Sequence, residues 1–153
     1  MPRRKAKRVL AISSGGGHWV QLLRLQEAFS GCEVVYATVH PSYRADVPSA
    51  RFYAIPDATR WNKLRLVRLV LRVLWVMAVE RPDVVVTTGA APGYIAVVLG
   101  RLGRAKTVWI DSIANVEQMS MSGRKAKAHA DLWLTQWPHL AVAGGPRFAG
   151  AVL

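Results

Sequence analysis

Val9-Leu10-Ala11-Ile12-Ser13-Ser14-Gly15-Gly16-Gly17-His18-Trp19-Val20-Gln21-Leu22-Leu23 is the stretch that decides the fold of this chain. Its first four residues are an uninterrupted apolar run, the pattern of a strand buried on both faces. From Trp19 the apolar residues recur at helical spacing. Between them three glycines let the backbone turn sharply and come close to a ligand. A strand, a glycine turn and a helix in that order form a corner at which the unpaired N–H groups of a helix N-terminus meet an anion. His18 falls in the first helical turn, beside whatever binds there.

The corner matches neither common phosphate loop. A dinucleotide fingerprint requires G-x-G-x-x-G, and position 20 is valine; a Walker loop requires Lys-Ser/Thr where His18-Trp19 stand. From these residues alone two readings stay open. Gly15 to Gly17 and His18 line a ligand site, or they make a sharp turn with His18 as a capping or packing residue.

Composition narrows the classes. The 153 residues are 52% hydrophobic, enough for one domain with its own core and unlike a disordered chain. Lys and Arg outnumber Asp and Glu by 21 to 9, a net charge of +12. Such a charge implies a polyanionic neighbour: nucleic acid, an anionic lipid surface or a phosphorylated substrate. Cys32 is the sole cysteine, so no intrachain disulfide forms and a reducing compartment is expected. His18, His40, His129 and His139 are scattered without metal-ligand spacing, so neither a metal nor a cofactor is expected. Residues 1–7 read as a basic tail running straight into the first strand. The apolar run after it is too short for a secretory signal, so export is not expected.

Along the chain, strands are expected at Arg8–Ser13, Glu33–Thr38, Arg51–Ile55, Asp83–Thr88, Lys106–Asp111 and Asp131–Thr135. Helices are expected at His18–Phe29, Asn62–Glu80, Pro92–Leu102 and about Ser122–His129. The strands are continuous apolar runs and helices separate most of them. That predicts an α/β, Rossmann-like, mostly parallel sheet with helices on both faces, in a single domain over 1–153. In such sheets ligands collect at the C-terminal strand ends. The unusual residues lie there: Ser13 to His18, Thr87-Thr88-Gly89-Ala90-Ala91-Pro92-Gly93, Asp111-Ser112-Ile113-Ala114-Asn115-Val116-Glu117, and Gln136-Trp137-Pro138-His139. Together they suggest a cleft lined by glycine turns, hydroxyls, a histidine and two carboxylates. His40 and His139 are read as structural.

The expected helix over Asn62–Glu80 has an uncommon surface. At 100° per residue, Arg65, Arg68 and Arg72 share one narrow stripe, and nearly all the rest is apolar. It is too short and too charged to cross a bilayer. It suits the membrane interface, with Trp61 and Trp75 at headgroup depth and the arginines on anionic lipid. The alternative is a core helix that also covers a partner subunit. A nucleic-acid module is the other class that the charge allows, but no nucleic-acid motif is present and the arginines sit within a very apolar helix.

The chain resembles the acceptor-side (Alg-fourteen-like and PssD-like) subunits of two-subunit GT-B UDP-glycosyltransferases, and more distantly MurG. The resemblance runs from about Arg8 onward. It is carried by Ser13–His18, Thr87–Gly93, Trp109–Glu117 and Ala130-Asp131-Leu132-Trp133-Leu134-Thr135-Gln136-Trp137. It implies the N-terminal, acceptor half of a GT-B enzyme, with the UDP-sugar held by a separate subunit. The acceptor would be a polyprenyl-diphosphate-linked saccharide, and the setting oligosaccharide, exopolysaccharide or capsule synthesis. Eukaryotic members of this family carry an N-terminal membrane anchor. The expectation here is a bacterial member associated peripherally with the cytoplasmic face of the membrane, through Arg65, Arg68, Arg72 and Trp75. Ser14, Gly15, Gly16, Gly17, Thr88, Gly89, Gly93, Asp111 and Ser112 are the expected acceptor and phosphate contacts. A base must lie within reach of the acceptor hydroxyl with a pKa near working pH. His18 at a helix N-terminus fits, because the positive end of the dipole disfavours imidazolium. Glu117 and Asp111 are the alternatives. For Asp111 the competing reading is a cap or turn residue after its strand, and for Glu117 a surface helix residue.

Overall fold

The computed structural model describes residues 5–152; of the basic tail, residues 1–4 lie outside the described residues. The elements are β1 (Arg8–Ile12), α1 (Gly17–Leu23), β2 (Glu33–Thr38), β3 (Arg51–Ala54), α2 (Lys63–Glu80), β4 (Val84–Thr87), α3 (Ala90–Leu102), β5 (Lys106–Ile110), α4 (Met121–Ala126), β6 (Leu132–Thr135) and β7 (Arg147–Phe148). They build one seven-stranded sheet in the order β3-β2-β1-β4-β5-β6-β7. Every strand pair is parallel. The order reverses direction between β1 and β4, so a crevice opens at their C-terminal ends.

The apolar runs become central strands because both faces are covered. Leu10 and Ile12 face one side with Leu69, Val73 and Val76 of α2 and Ala96 of α3. Val9 and Ala11 face the other side with Trp19 and Leu22 of α1. The period of two along β1 thus divides one strand between two cores. Trp19 is fixed further by a hydrogen bond from its indole N–H to Asp46 (2.8 Å) and by stacking on Tyr43.

Several expected boundaries move. The helix expected through Phe29 ends at Leu23 and continues as a 3-10 turn over Gln26–Phe29. That tighter turn keeps Phe29 in the core with Leu22 and lets Cys32 donate back to Phe29 O, ready for β2. α3 starts two residues early, at Ala90. α4 is shorter than expected: the Ser120 side chain accepts from Gly123 N, and the helix ends at Ala126. The 3-10 turn over Pro41–Asp46 and the edge strand β7 were not expected. β7 has two residues, too few for a periodicity to show.

α2 has three faces. Leu69, Val73 and Val76 are buried against the sheet. Nearly opposite, Leu64, Val67, Leu71, Leu74, Trp75 and Val79 are exposed, Leu64 by 63% and Leu71 by 59%. Arg65, Arg68 and Arg72 lie between these faces on a stripe about 60° wide. Arg72 is held by Trp75, whose ring lies 4.6 Å from its guanidinium carbon, and by Ala54 O. Among the described residues no helix is long and apolar enough to cross a membrane.

The far end of α2 is anchored by Glu80, a buried carboxylate. Tyr53 donates to its Oε1 at 2.5 Å, and Arg51 and Arg8 stand 3.3 and 3.8 Å from its Oε2. Arg8 and Arg51 both also pair with Glu33, which joins the starts of β1, β2 and β3. The hydrogen bond to Glu80, helped by burial, raises the Tyr53 pKa above its ordinary value of 10.0. A raised pKa means that this bond stabilises fully below pH 10.0 and is lost as pH rises through the folded value. Tyr53→Phe should therefore lower stability at pH 7 by about 1 kcal/mol in urea unfolding. The gap to wild type should close above pH 10.0; a gap that persists there would show that the loss is not this bond.

Candidate functional site

The crevice at the β1/β4 switch is closed from below by His18 and Thr88. His18 Nδ1 lies 2.8 Å from Thr88 O, and Thr88 Oγ1 donates to His18 O at 2.6 Å. A carbonyl only accepts, so Nδ1 carries a proton, and in the neutral ring the lone pair is on Nε2. The ring is half-buried and forms a wall of a cleft of about 220 Å³. The other walls are Ala90 at the start of α3, Ser112, Ala114 and Asn115 after β5, and Ser120, Met121 and Ser122 at the start of α4.

Backbone conformation brings α3 to this cleft. Gly89 has φ 121°, and a Cβ there would stand 3.1 Å from His18 Cε1. Ala90 follows with φ 66°, a left-handed conformation that costs a non-glycine residue about 1–3 kcal/mol. No side chain caps the N-terminus of α3, whose first residue, Ala90, lines the cleft. One turn on, Gly93 packs against β4: a Cβ would come 2.0 Å from Thr87 Oγ1.

The opposite wall is organised by Asp111. Its carboxylate is buried and accepts from Trp109 Nε1 (3.1 Å), Asn115 Nδ2 (3.0 Å), Ser120 N (2.8 Å) and Ser120 Oγ (2.6 Å). The three bonds from Asn115 and Ser120 fold residues 112–120 into a compact loop and bring Ser120 back to the strand end. Gly123 is required for the same approach, since a Cβ would lie 2.5 Å from Asp111 Oδ1. Behind the loop runs a buried amide relay. Gln136 Nε2 donates to Gln21 Oε1 (2.6 Å) and to Asp111 O, and Gln21 Nε2 donates to Ser112 Oγ and Gly17 O, both at 3.2 Å. Ile113 N and Val152 N donate to the two side-chain oxygens, Gln21 Oε1 and Gln136 Oε1.

The structure thus gathers His18, Gly89 and Ser112 about one cleft, with Thr88 and Asp111 holding its walls. Gly93 lies inside the helix–strand contact. Gly15 packs under His40, whose ring a Cβ would meet at 2.6 Å, and Gly16 N donates to Tyr43 OH. Ser14 O accepts from Ser13 and Thr38. Gly17 opens α1. Glu117 is exposed, lies on the 112–120 loop rather than on a helix, and is outside the cleft lining. His40 and His139 pack structurally, His139 with Nε2 2.6 Å from Val116 O. Sequence reasoning placed Asn115 in a strand-end stretch without giving it a role, and missed Ser120, Met121 and Ser122 as cleft residues and Gln21 and Gln136 as their support. A glutamine inside an apolar helix face, as Gln21 is, was the available signal.

Asp111→Asn places an amide N–H against donors. It should lower stability by about 1–3 kcal/mol. It should also speed amide exchange at Ser120, while the protection of Leu10 and Val85 falls only with global stability. Unchanged exchange at Ser120 would remove Asp111 as the loop's anchor.

Residues 61–151, more than half the chain, match the family model "Oligosaccharide biosynthesis protein Alg14 like". The UDP-N-acetylglucosamine transferase subunit ALG14 of Eremothecium gossypii is 31% identical over 88% of this chain and 75% of its own length. The mouse subunit of the same name is 26% identical over 90% of this chain and 78% of its own length. Among solved structures, Acinetobacter baumannii MurG superposes with a TM-score of 0.75 at 16% identity, over 94% of this chain but 45% of MurG. The UDP-N-acetylglucosamine 2-epimerase of Rickettsia bellii superposes at 0.66 and 11% identity, over 88% of this chain and 40% of its own. This chain therefore has the fold of less than half of either solved protein. With a family match that takes in the ends of β4, β5 and β6, and a relative 31% identical over 88% of its length, the chain belongs to the Alg14-like family of oligosaccharide biosynthesis proteins.

Proposed function

We propose that this chain is the acceptor-binding, membrane-associating subunit of a heteromeric glycosyltransferase. It presents a polyprenyl-diphosphate-linked saccharide to a UDP-sugar held by a separate GT-B subunit, at the cytoplasmic face of the membrane. The observation that carries this reading is the His18–Thr88 pairing, which commits Nδ1–H to a carbonyl in a ring that walls a cleft beside the uncapped N-terminus of α3. The family match and the likeness to part of MurG support it.

In this reading the diphosphate lies against the first N–H groups of α3 and the hydroxyls of Ser112, Ser120 and Ser122, with Asn115 beside them. His18 Nε2 takes the proton of the acceptor hydroxyl as its oxygen attacks the anomeric carbon. The anomeric C–O bond breaks and its electron pair leaves with UDP. Thr88 O keeps His18 in the required tautomer and stabilises the imidazolium that forms. Asp111 already accepts four hydrogen bonds and holds the loop rather than the substrate. Glu117 remains the alternative base, on a loop at the margin of the cleft.

The chain alone should show no sugar transfer and should gain it when a donor-binding subunit is added; turnover by the purified chain alone would defeat the division of labour. In the reconstituted pair, His18→Ala should lower kcat by about 10²–10⁴-fold with little change in KM for the lipid acceptor. Glu117→Gln is the control, and a larger kcat loss there would move the base role to Glu117.

The exposed apolar face of α2, flanked by Arg65 and Arg68, suits an anionic bilayer better than nucleic acid, which has no use for Leu64, Val67 and Leu71. Each surface arginine contributes about 1 kcal/mol at such a membrane. Replacing Arg65, Arg68 and Arg72 by Glu should therefore weaken binding to phosphatidylserine-containing vesicles by about 10²-fold or more. If wild type ignores those vesicles with and without its partner, this face is a protein interface.

A further inference from the structure

The segment between β3 and α2 brings a cation and an indole to the rim of the cleft. Arg60 Nη1 lies 3.5 Å from the sulfur of Met121, which is itself a cleft wall. The same guanidinium lies 4.5 Å from the centre of the Trp61 ring. Trp61 is 80% exposed, and the next apolar residue, Leu64, opens the exposed face of α2. A strip therefore leaves the cleft at Met121, crosses one positive charge, passes over an indole and continues onto Leu64, Val67 and Leu71. A packed core requires none of this: Trp61 buries little, and Arg60 has no acidic partner among the described ion pairs. The order of chemistry along the strip is that of one ligand class, a phosphate followed by a branched hydrocarbon.

We propose that Arg60, Trp61 and Met121 form a binding site for the junction between the diphosphate and the hydrocarbon of a prenyl-diphosphate lipid. Arg60 pairs with the phosphate nearer the chain. Trp61 and Met121 hold the first isoprene units and direct the remainder along α2 toward the bilayer. The proposal rests on the reading of the cleft as a diphosphate site and adds the path of the hydrocarbon. Isoprene methyls against an indole face and a thioether exchange water for close contact at both surfaces.

The test is calorimetric titration of the full chain with inorganic diphosphate and with farnesyl diphosphate below its micellar concentration. Farnesyl diphosphate should bind at least about tenfold more tightly, the scale expected for burying a few apolar carbons. Trp61→Ala should remove a large part of that increment and leave inorganic diphosphate unchanged, and Met121→Ser should narrow the gap between the two ligands. Both side chains are exposed, so neither change threatens folding. Arg60→Ala should weaken both ligands. Leu71→Gln, about two turns further along α2, should alter neither. Equal affinity of wild type for the two ligands, with inorganic diphosphate still weakened by Ser122→Ala, would overturn the junction site and leave the cleft reading standing. A loss in Leu71→Gln as large as in Trp61→Ala would place the hydrocarbon on the helix face instead and would also overturn it. If neither ligand binds, the cleft reading falls and the junction site falls with it.

Discussion

Two hydrogen bonds between His18 and Thr88 join the first turn of α1 to the end of β4. They cross the point at which the sheet changes direction, and the arrangement around the cleft depends on them. With His18 Nδ1 committed to a carbonyl, the ring cannot rotate to offer that nitrogen elsewhere. With Thr88 Oγ1 committed to His18 O, Thr88 cannot cap α3, and no other side chain does so. Gly89 and Ala90 then take positive φ values to start the helix, and only a residue without a Cβ fits against the imidazole at Gly89. One pair of contacts thus accounts for a fixed tautomer, an uncapped helix and local backbone strain at one place.

The sheet was readable because its physical signals are redundant. β1, β4 and β5 are continuous apolar runs, as strands covered on both faces must be, and their helices carry long periodic patterns. Features set by one or two contacts were not readable. Nothing local distinguishes Ser120 from any other serine; its place is fixed by Asp111, nine residues earlier and on another element. Gln21 looks like a polar interruption of an apolar helix until its partners, 91 and 115 residues away, are known. The glycines illustrate the same difference. The run Gly15 to Gly17 marks the turn correctly, yet the absence of a side chain at Gly15 is explained by the ring of His40 and at Gly93 by Thr87, close approaches between elements that no local pattern announces.

α2 shows why composition alone could not separate its two readings. A helix that is apolar nearly all round fits a core, an interface or a bilayer surface equally well. The sheet covers only the stripe of Leu69, Val73 and Val76, which leaves a second apolar stripe, with the arginines at its border, facing outward to a bilayer or a partner. Arg72 is part packing residue and part charge, because its guanidinium rests on Trp75 while its Nε reaches Ala54 O. Loss of Arg72 would therefore disturb the β3–α2 contact as well as the surface potential.

The Gln136–Gln21 contact also bears on how the chain is made. A buried amide on α1 waits for a partner 115 residues downstream, and at about 5–20 residues per second that wait lasts on the order of 6–23 s of synthesis. Until β4 is made, a little past the middle of that interval, β1 is open on its β4 side, and for the whole interval the α1 corner has a polar group without its counterpart. For that first part the nascent chain presents an apolar strand and an unsatisfied amide together. Translation speed and chaperone occupancy between the synthesis of β1 and that of Gln136, as well as the stability of the finished fold, then bear on how much of this protein is made in a usable form.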